Sequence, residues 1–67
     1  MILLTQLRKA QGWPQVELAR RAYVHPSLIS QIEAGLQRLN PDSRPLLRLA
    51  EALGWTGSPE RLLEEVH

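Results

Sequence analysis

The chain has 67 residues, a net charge of +1, no cysteine and two histidines. A chain of this length buries only about 60% of the surface that it exposes when unfolded, so we expect one domain over residues 1–67 and no roomy catalytic pocket. Without cysteine there is no disulfide or thiolate chemistry, and two histidines cannot by themselves hold zinc. We therefore expect no enzymatic activity, no metal and no cofactor.

The first helix is predicted over about residues 2–11. Its four apolar residues before Thr5 are too few for a secretion signal or a membrane span, which predicts a cytoplasmic protein with no membrane partner. Gly12 followed by Trp13 predicts the end of this helix, because glycine accepts the left-handed conformation after a last turn and the apolar residue folds back onto that turn. The same signal at Gly35 and Gly54 ends helices of about residues 26–34 and 44–53.

The second helix is predicted over about residues 14–22. Pro14 suits a first turn, and Glu17 lies near the positive end of the helix dipole. Only residues 23–25 separate this helix from the third, and so short a connection predicts a corner between them, as in a helix-turn-helix.

The fourth helix follows the longest loop, residues 36–43, and is predicted to be capped by Asp42 or Ser43. Ser58 at an N-cap position, with Pro59 after it, predicts a short fifth helix. No segment alternates as a strand does. The predicted fold class is all-α with five short helices.

Residues spaced between positions 12 and 35 occupy the steps of a known motif, and most of them match it. These residues are Gly12, Trp13, Pro14, Gln15, Leu18, Ala19, Tyr23, Val24, His25, Ile29, Ser30, Ile32, Glu33 and Gly35. With "LLRLAEALG" further on, residues 7–55 resemble the Cro/C1-type (XRE-like) helix-turn-helix domains of bacterial and phage repressors. The resemblance implies a five-helix, lambda-repressor-like bundle with the helix-turn-helix at helices 2 and 3.

Two residues depart from the pattern of this family, and two others stand where the family often has an ion pair. Pro14 stands where the family has a capping Thr. Tyr23 stands where it has the glycine of the corner, which predicts either a strained backbone or a corner with negative φ. The resemblance also implies an ion pair between Arg8 and Glu33 that ties the first helix to the third; two separate surface charges are the alternative.

In this family the third helix lies in the major groove and presents the side chains of its N-terminal part to the bases. Carried over by position, the base-contacting residues are His25, Pro26, Ser27, Ser30 and Gln31. The alternative is that this polar face is merely solvated. Phosphate contacts are expected from Gln15 at the start of the second helix and from Arg38 and Arg44.

Charge is sorted along the chain. Residues 1–50 carry seven bases and three acids, a net charge of +4, whereas residues 51–67 carry one base and four acids, a net charge of −3. A basic body with an acidic tail suits a protein that faces an anion with one end, although an ordinary mixed-charge surface is the alternative.

The resemblance implies a homodimer on double-stranded DNA, and we expect no effector domain. The predicted dimer interface consists of apolar residues left over once the core is counted, namely Trp55, Leu62, Leu63 and Val66, with Leu39 in the loop. Trp55 could equally pack on its own helix end. The predicted function is sequence-specific repression of transcription. The alternative is a protein-interaction module or an antitoxin that binds a toxin or another protein, because no Arg or Lys occurs between residues 22 and 37.

Overall fold

The computed structural model describes residues 1–66, in which four α-helices and a C-terminal 3₁₀ helix surround one core. The α-helices are α1 (Leu3–Ala10), α2 (Gln15–Ala22), α3 (Pro26–Glu33) and α4 (Arg44–Leu53). The all-α class is confirmed, and each α-helix lies within a residue or two of its predicted bounds. The three glycines predicted to end helices have φ between 69° and 78°, as a left-handed stop requires.

The predicted fifth helix is wrong in type, because Pro59–Leu63 forms a 3₁₀ helix of five residues. The 3₁₀ helix ends at Leu63, after which the chain is extended and pairs with the N-terminus. Leu3 N donates to Glu64 O and Val66 N donates to Met1 O, both at 2.9 Å. Residues 64–66 therefore lie alongside residues 1–3 as a short antiparallel ribbon, which we call the terminal clasp.

The core is built from one stripe of each helix and from the 3₁₀ helix. It comprises Leu4, Leu18, Ala19, Ala22, Ile29, Ile32, Leu46, Leu49, Ala50, Leu62 and Leu63. Ala19, Ile29 and Ile32 are among its buried residues, and Val24 packs against this core from a half-buried position.

Two residues of the predicted dimer interface, Leu62 and Leu63, belong to the core instead. Leu62 is fully buried and Leu63 is 7% exposed in the protomer itself, because the terminal clasp holds the 3₁₀ helix against α1 and α4. Neither side chain is available to a second copy. Ser43 rather than Asp42 occupies the N-cap position of α4, and its side chain makes no capping hydrogen bond.

Candidate nucleic-acid interface

The connection between α2 and α3 is a three-residue corner with a left-handed residue at its start. Tyr23 has φ 58° and ψ 41°, so the strained alternative is the one that the backbone adopts. Val24 N donates to Ala19 O at 3.0 Å and closes the end of α2. The Tyr23 side chain is 84% exposed, so no packing of the ring offsets the backbone strain.

One side of α3 is a continuous exposed polar face, which we call the reading face. It consists of His25, Pro26, Ser27, Ser30 and Gln31. Ile29 and Ile32 lie on the opposite side of the helix and are buried. The five residues predicted to contact bases therefore share one solvent-facing surface, as a helix period of 3.6 residues requires.

The reading face begins at a histidine cap. His25 is the N-cap residue of α3, and its Nδ1 accepts a hydrogen bond from Ser27 N at 3.1 Å. The Ser27 hydroxyl oxygen lies 2.8 Å from the same nitrogen. Pro26 occupies the first turn, where a missing N–H costs no intrahelical hydrogen bond.

A buried ion pair holds α3 to the rest of the domain. Arg8 Nε lies 2.8 Å from Glu33 Oε2, and the two side chains are only 10% and 8% exposed. Arg8 Nη2 donates to Glu33 Oε1 at 3.0 Å, and Arg8 Nη1 donates to Trp13 O at 2.7 Å. Because Glu33 is the one charged residue of α3 and faces inward to Arg8, the reading face carries no formal charge at neutral imidazole.

The helix-turn-helix family model matches residues 4–59, which is most of the chain and includes the corner, the reading face and α4. The chain belongs to the Cro/C1-type (XRE-like) helix-turn-helix family. It is a family of DNA-binding transcription regulators and not of enzymes, so the domain is a DNA-binding regulator in this general sense. No curated protein and no solved structure matches the chain significantly.

The N-terminus of α2 places Gln15 beside the ion pair of this helix-turn-helix domain. Gln15 Nε2 donates to Glu33 Oε1 at 2.9 Å, which leaves its side-chain oxygen and a second amide hydrogen for another partner. The first hydrogen bonds of α2 run from Glu17 N and Leu18 N to Pro14 O. The N–H groups of Gln15 and Val16 therefore open toward solvent at the positive end of the helix dipole.

The exposed basic residues differ in whether an acidic side chain pairs with them. Arg20 and Arg21 both contact the carboxylate of Glu17, at 2.5 and 2.6 Å. The hydrogen bond from Arg20 holds the pKa of Glu17 below its ordinary value, and Arg21 contributes to the same effect. Arg38 and Arg44 are exposed and have no ion pair within residues 1–66.

The remaining residues of the predicted dimer interface lie near the C-terminus. Trp55 is half-buried, and its ring nitrogen donates to Ser58 O at 2.9 Å, so it packs on the turn that follows α4. Val66 is half-buried in the terminal clasp.

No helix within residues 1–66 is long and apolar enough to cross a membrane. The same residues contain no cluster of His, Asp and Glu that could hold a metal ion. His67, one of the two histidines considered as metal ligands, lies outside the described residues.

Three contacts of the site were not predicted from the sequence. They are the Gln15–Glu33 hydrogen bond, the His25–Ser27 pair and the stacking of the Arg21 guanidinium 4.3 Å from the centre of the Trp13 ring. The Gln15–Glu33 hydrogen bond could have been predicted from the family resemblance, which implies the Arg8–Glu33 ion pair and includes Gln15 at the start of the second helix. The other two depend on side-chain rotamers, for which the sequence carries no signal.

Proposed function

We propose that this protein is a transcription repressor that binds a palindromic operator as a homodimer, with α3 of each protomer in the major groove. The observation that carries the proposal is the reading face, an exposed and uncharged surface on the second helix of the corner, on which every side chain except that of Pro26 can form hydrogen bonds. Gln31 pairs well with adenine, Ser27 and Ser30 suit several bases, and Pro26 suits a thymine methyl group.

Contacts to the phosphates supply affinity and come from elements around the reading face in this proposal. Gln15 and the free N–H groups at the start of α2 form a neutral phosphate site. Arg38 and Arg44 add two exposed positive charges in and after the loop that follows α3. Arg20 and Arg21 are weaker candidates, because they share the carboxylate of Glu17.

The size of the protomer supports binding of two copies side by side. Its dimensions are 26 × 25 × 22 Å, and successive major grooves on one side of a duplex lie about 34 Å apart. Two protomers related by a two-fold axis fit on one face of the DNA, with their reading faces one helical turn apart.

The loop after α3 is the dimer contact that we propose in place of the buried leucines. Leu36 is 79% exposed directly after the end of α3, and Leu39 is half-buried in the same loop. Leu36→Glu is expected to turn the dimer into a monomer in sedimentation, whereas Leu47→Glu, at a 46% exposed position on α4, is the matched control. If Leu36→Glu still sediments as a dimer, the dimer contact lies on another surface.

Selection of bound duplexes from a random pool tests the whole proposal. The expected result is a palindromic consensus whose half-sites are centred about one helical turn apart. Gln31→Ala is expected to relax the preference at some positions of each half-site, with about 1–3 kcal/mol of discrimination lost per contacted base.

The alternative is a protein-interaction module or an antitoxin component. A selection that enriches no duplex would favour this alternative. The reading face lacks Arg and Lys, which favours that alternative. Failure to shift any random duplex in a gel at low salt would refute DNA binding by this domain, because non-specific binding rests on phosphate contacts alone.

A further inference from the structure

The reading face begins with His25 and Ser27, which contact each other at one imidazole nitrogen. The Ser27 backbone N–H donates to His25 Nδ1 at 3.1 Å, and the Ser27 hydroxyl oxygen lies 2.8 Å from the same nitrogen. Both side chains are exposed on the surface that we propose to enter the major groove, so the inference drawn from them rests on the proposed function.

The backbone N–H decides where the imidazole hydrogen lies. An amide hydrogen cannot rotate away, so Nδ1 must offer its lone pair, and the hydrogen of the neutral ring is on Nε2. An oxygen lone pair 2.8 Å from that bare nitrogen would be repelled. The hydroxyl hydrogen of Ser27 therefore points at Nδ1, and the hydroxyl has no second hydrogen to donate.

We propose that His25 sets the base recognition of α3 by holding the Ser27 hydroxyl as a hydrogen-bond acceptor. In the major groove the partner of an acceptor is an amino group, and only adenine N6 and cytosine N4 carry one there. A serine hydroxyl that rotates freely donates or accepts and suits either kind of base edge. His25 acts through Ser27 as a positioning residue, and its own Nε2–H is a donor.

Three variants distinguish the role of His25 from that of Ser27. Ser27→Ala removes the hydroxyl. His25→Gly removes the acceptor that holds the hydroxyl, and glycine is itself among the residues preferred at the N-cap. His25→Asn restores an acceptor oxygen with two lone pairs for the Ser27 N–H and hydroxyl. Thermal unfolding of each variant checks that it is folded.

The first step is to select operators from a random duplex pool with the wild type and with Ser27→Ala. The base pair whose preference disappears in Ser27→Ala is the one that Ser27 reads. At this base pair, synthetic operators then carry purine in place of adenine, or pyrimidin-2-one in place of cytosine, either of which lacks the amino group. A 7-deaza purine in the same pair, which keeps the amino group and lacks the N7 acceptor, is the matched control.

Loss of the amino group is expected to weaken wild-type binding roughly fivefold, the value of one ordinary hydrogen bond, and to leave Ser27→Ala unaffected. His25→Gly should lose less than the wild type, because its freed hydroxyl can turn and donate instead, and His25→Asn should behave as the wild type does. The 7-deaza operator should show no coupling to Ser27.

Other outcomes would refute either the role of His25 or the proposed function. The inference is wrong if no base pair depends on Ser27, if the amino group can be removed without loss, or if His25→Gly loses as much as the wild type. A pool in which no sequence is enriched refutes the proposed function itself, and the inference falls with it.

Discussion

The buried ion pair between Arg8 and Glu33 leads to the strongest stability prediction. Arg8→Met removes the cation and leaves the Glu33 carboxylate, 8% exposed, with the Gln15 amide as its hydrogen-bond donor. Removing one partner of a buried pair costs about 3–5 kcal/mol, because the remaining charge is then buried without compensation. A 67-residue domain has roughly 3–10 kcal/mol of stability at 0.05–0.15 kcal/mol per residue. Arg8→Met should therefore lose a large part of its stability.

Urea unfolding followed by circular dichroism measures this loss. Arg48→Met makes the same change at an exposed position of α4 and should lie within about 0.5 kcal/mol of the wild type. The double variant Arg8→Met/Glu33→Met should be more stable than Arg8→Met, since it contains no unpaired charge, although Trp13 O still lacks its donor. Glu33→Met alone completes the cycle. The reasoning is refuted if Arg8→Met costs no more than Arg48→Met, or if the cost of the double variant equals the sum of the costs of Arg8→Met and Glu33→Met.

Four further predictions follow from individual residues. Tyr23→Gly should stabilise the protein by about 1 kcal/mol in urea unfolding, because a left-handed backbone costs a non-glycine residue about 1–2 kcal/mol; Tyr23→Ala, which keeps the Cβ, should not, and equal stabilities would contradict the strain. Leu62→Ala should destabilise the protomer by about 2–5 kcal/mol at every protein concentration, whereas a loss that varies with concentration would return Leu62 to a dimer interface. Arg38→Ala should weaken binding to all duplexes alike and lower the slope of log affinity against log salt by about one, and a loss confined to the selected operator would mean that Arg38 reads bases. Because the pKa of Glu17 is held below its ordinary value, the wild type should have a higher Tm than Glu17→Gln at pH values above the pKa of Glu17 in the unfolded chain. The difference should fade as pH falls through the pKa of Glu17 in the folded protein, and equal Tm values at pH 7 would contradict this.

The helices could be predicted from the sequence because their start and stop signals are local. Gly12, Gly35 and Gly54 each accept the positive φ that ends a helix. A proline in the first turn marks the start of α3 and of α4. Each of these signals acts within about four residues of the backbone that it shapes, so tertiary contacts had little opportunity to override it.

The residues of the reading face were predicted from the family resemblance, and helix geometry agrees with that prediction, whereas their hydrogen-bonding pattern was not predicted. Burial of Ile29 and Ile32 leaves Ser30 and Gln31 on the outside through helix geometry alone. The contact of His25 Nδ1 with Ser27 depends on the rotamer of the imidazole, and residue types do not specify a rotamer. A face can thus be derived from periodicity, but the donors and acceptors that it presents require the structure.

The wrong prediction for the C-terminal segment has a tertiary cause that also bears on the dimer. Counting Leu62 and Leu63 as surplus assumed that α1 to α4 complete the core. Pairing of residues 64–66 with residues 1–3 instead draws the 3₁₀ helix over α1, so both leucines close the core of one protomer. The exposed apolar residue nearest the end of α3 is then Leu36. A dimer contact there would join the two copies of α3 through a few residues, so the spacing of the half-sites would depend directly on the conformation of the 36–43 loop.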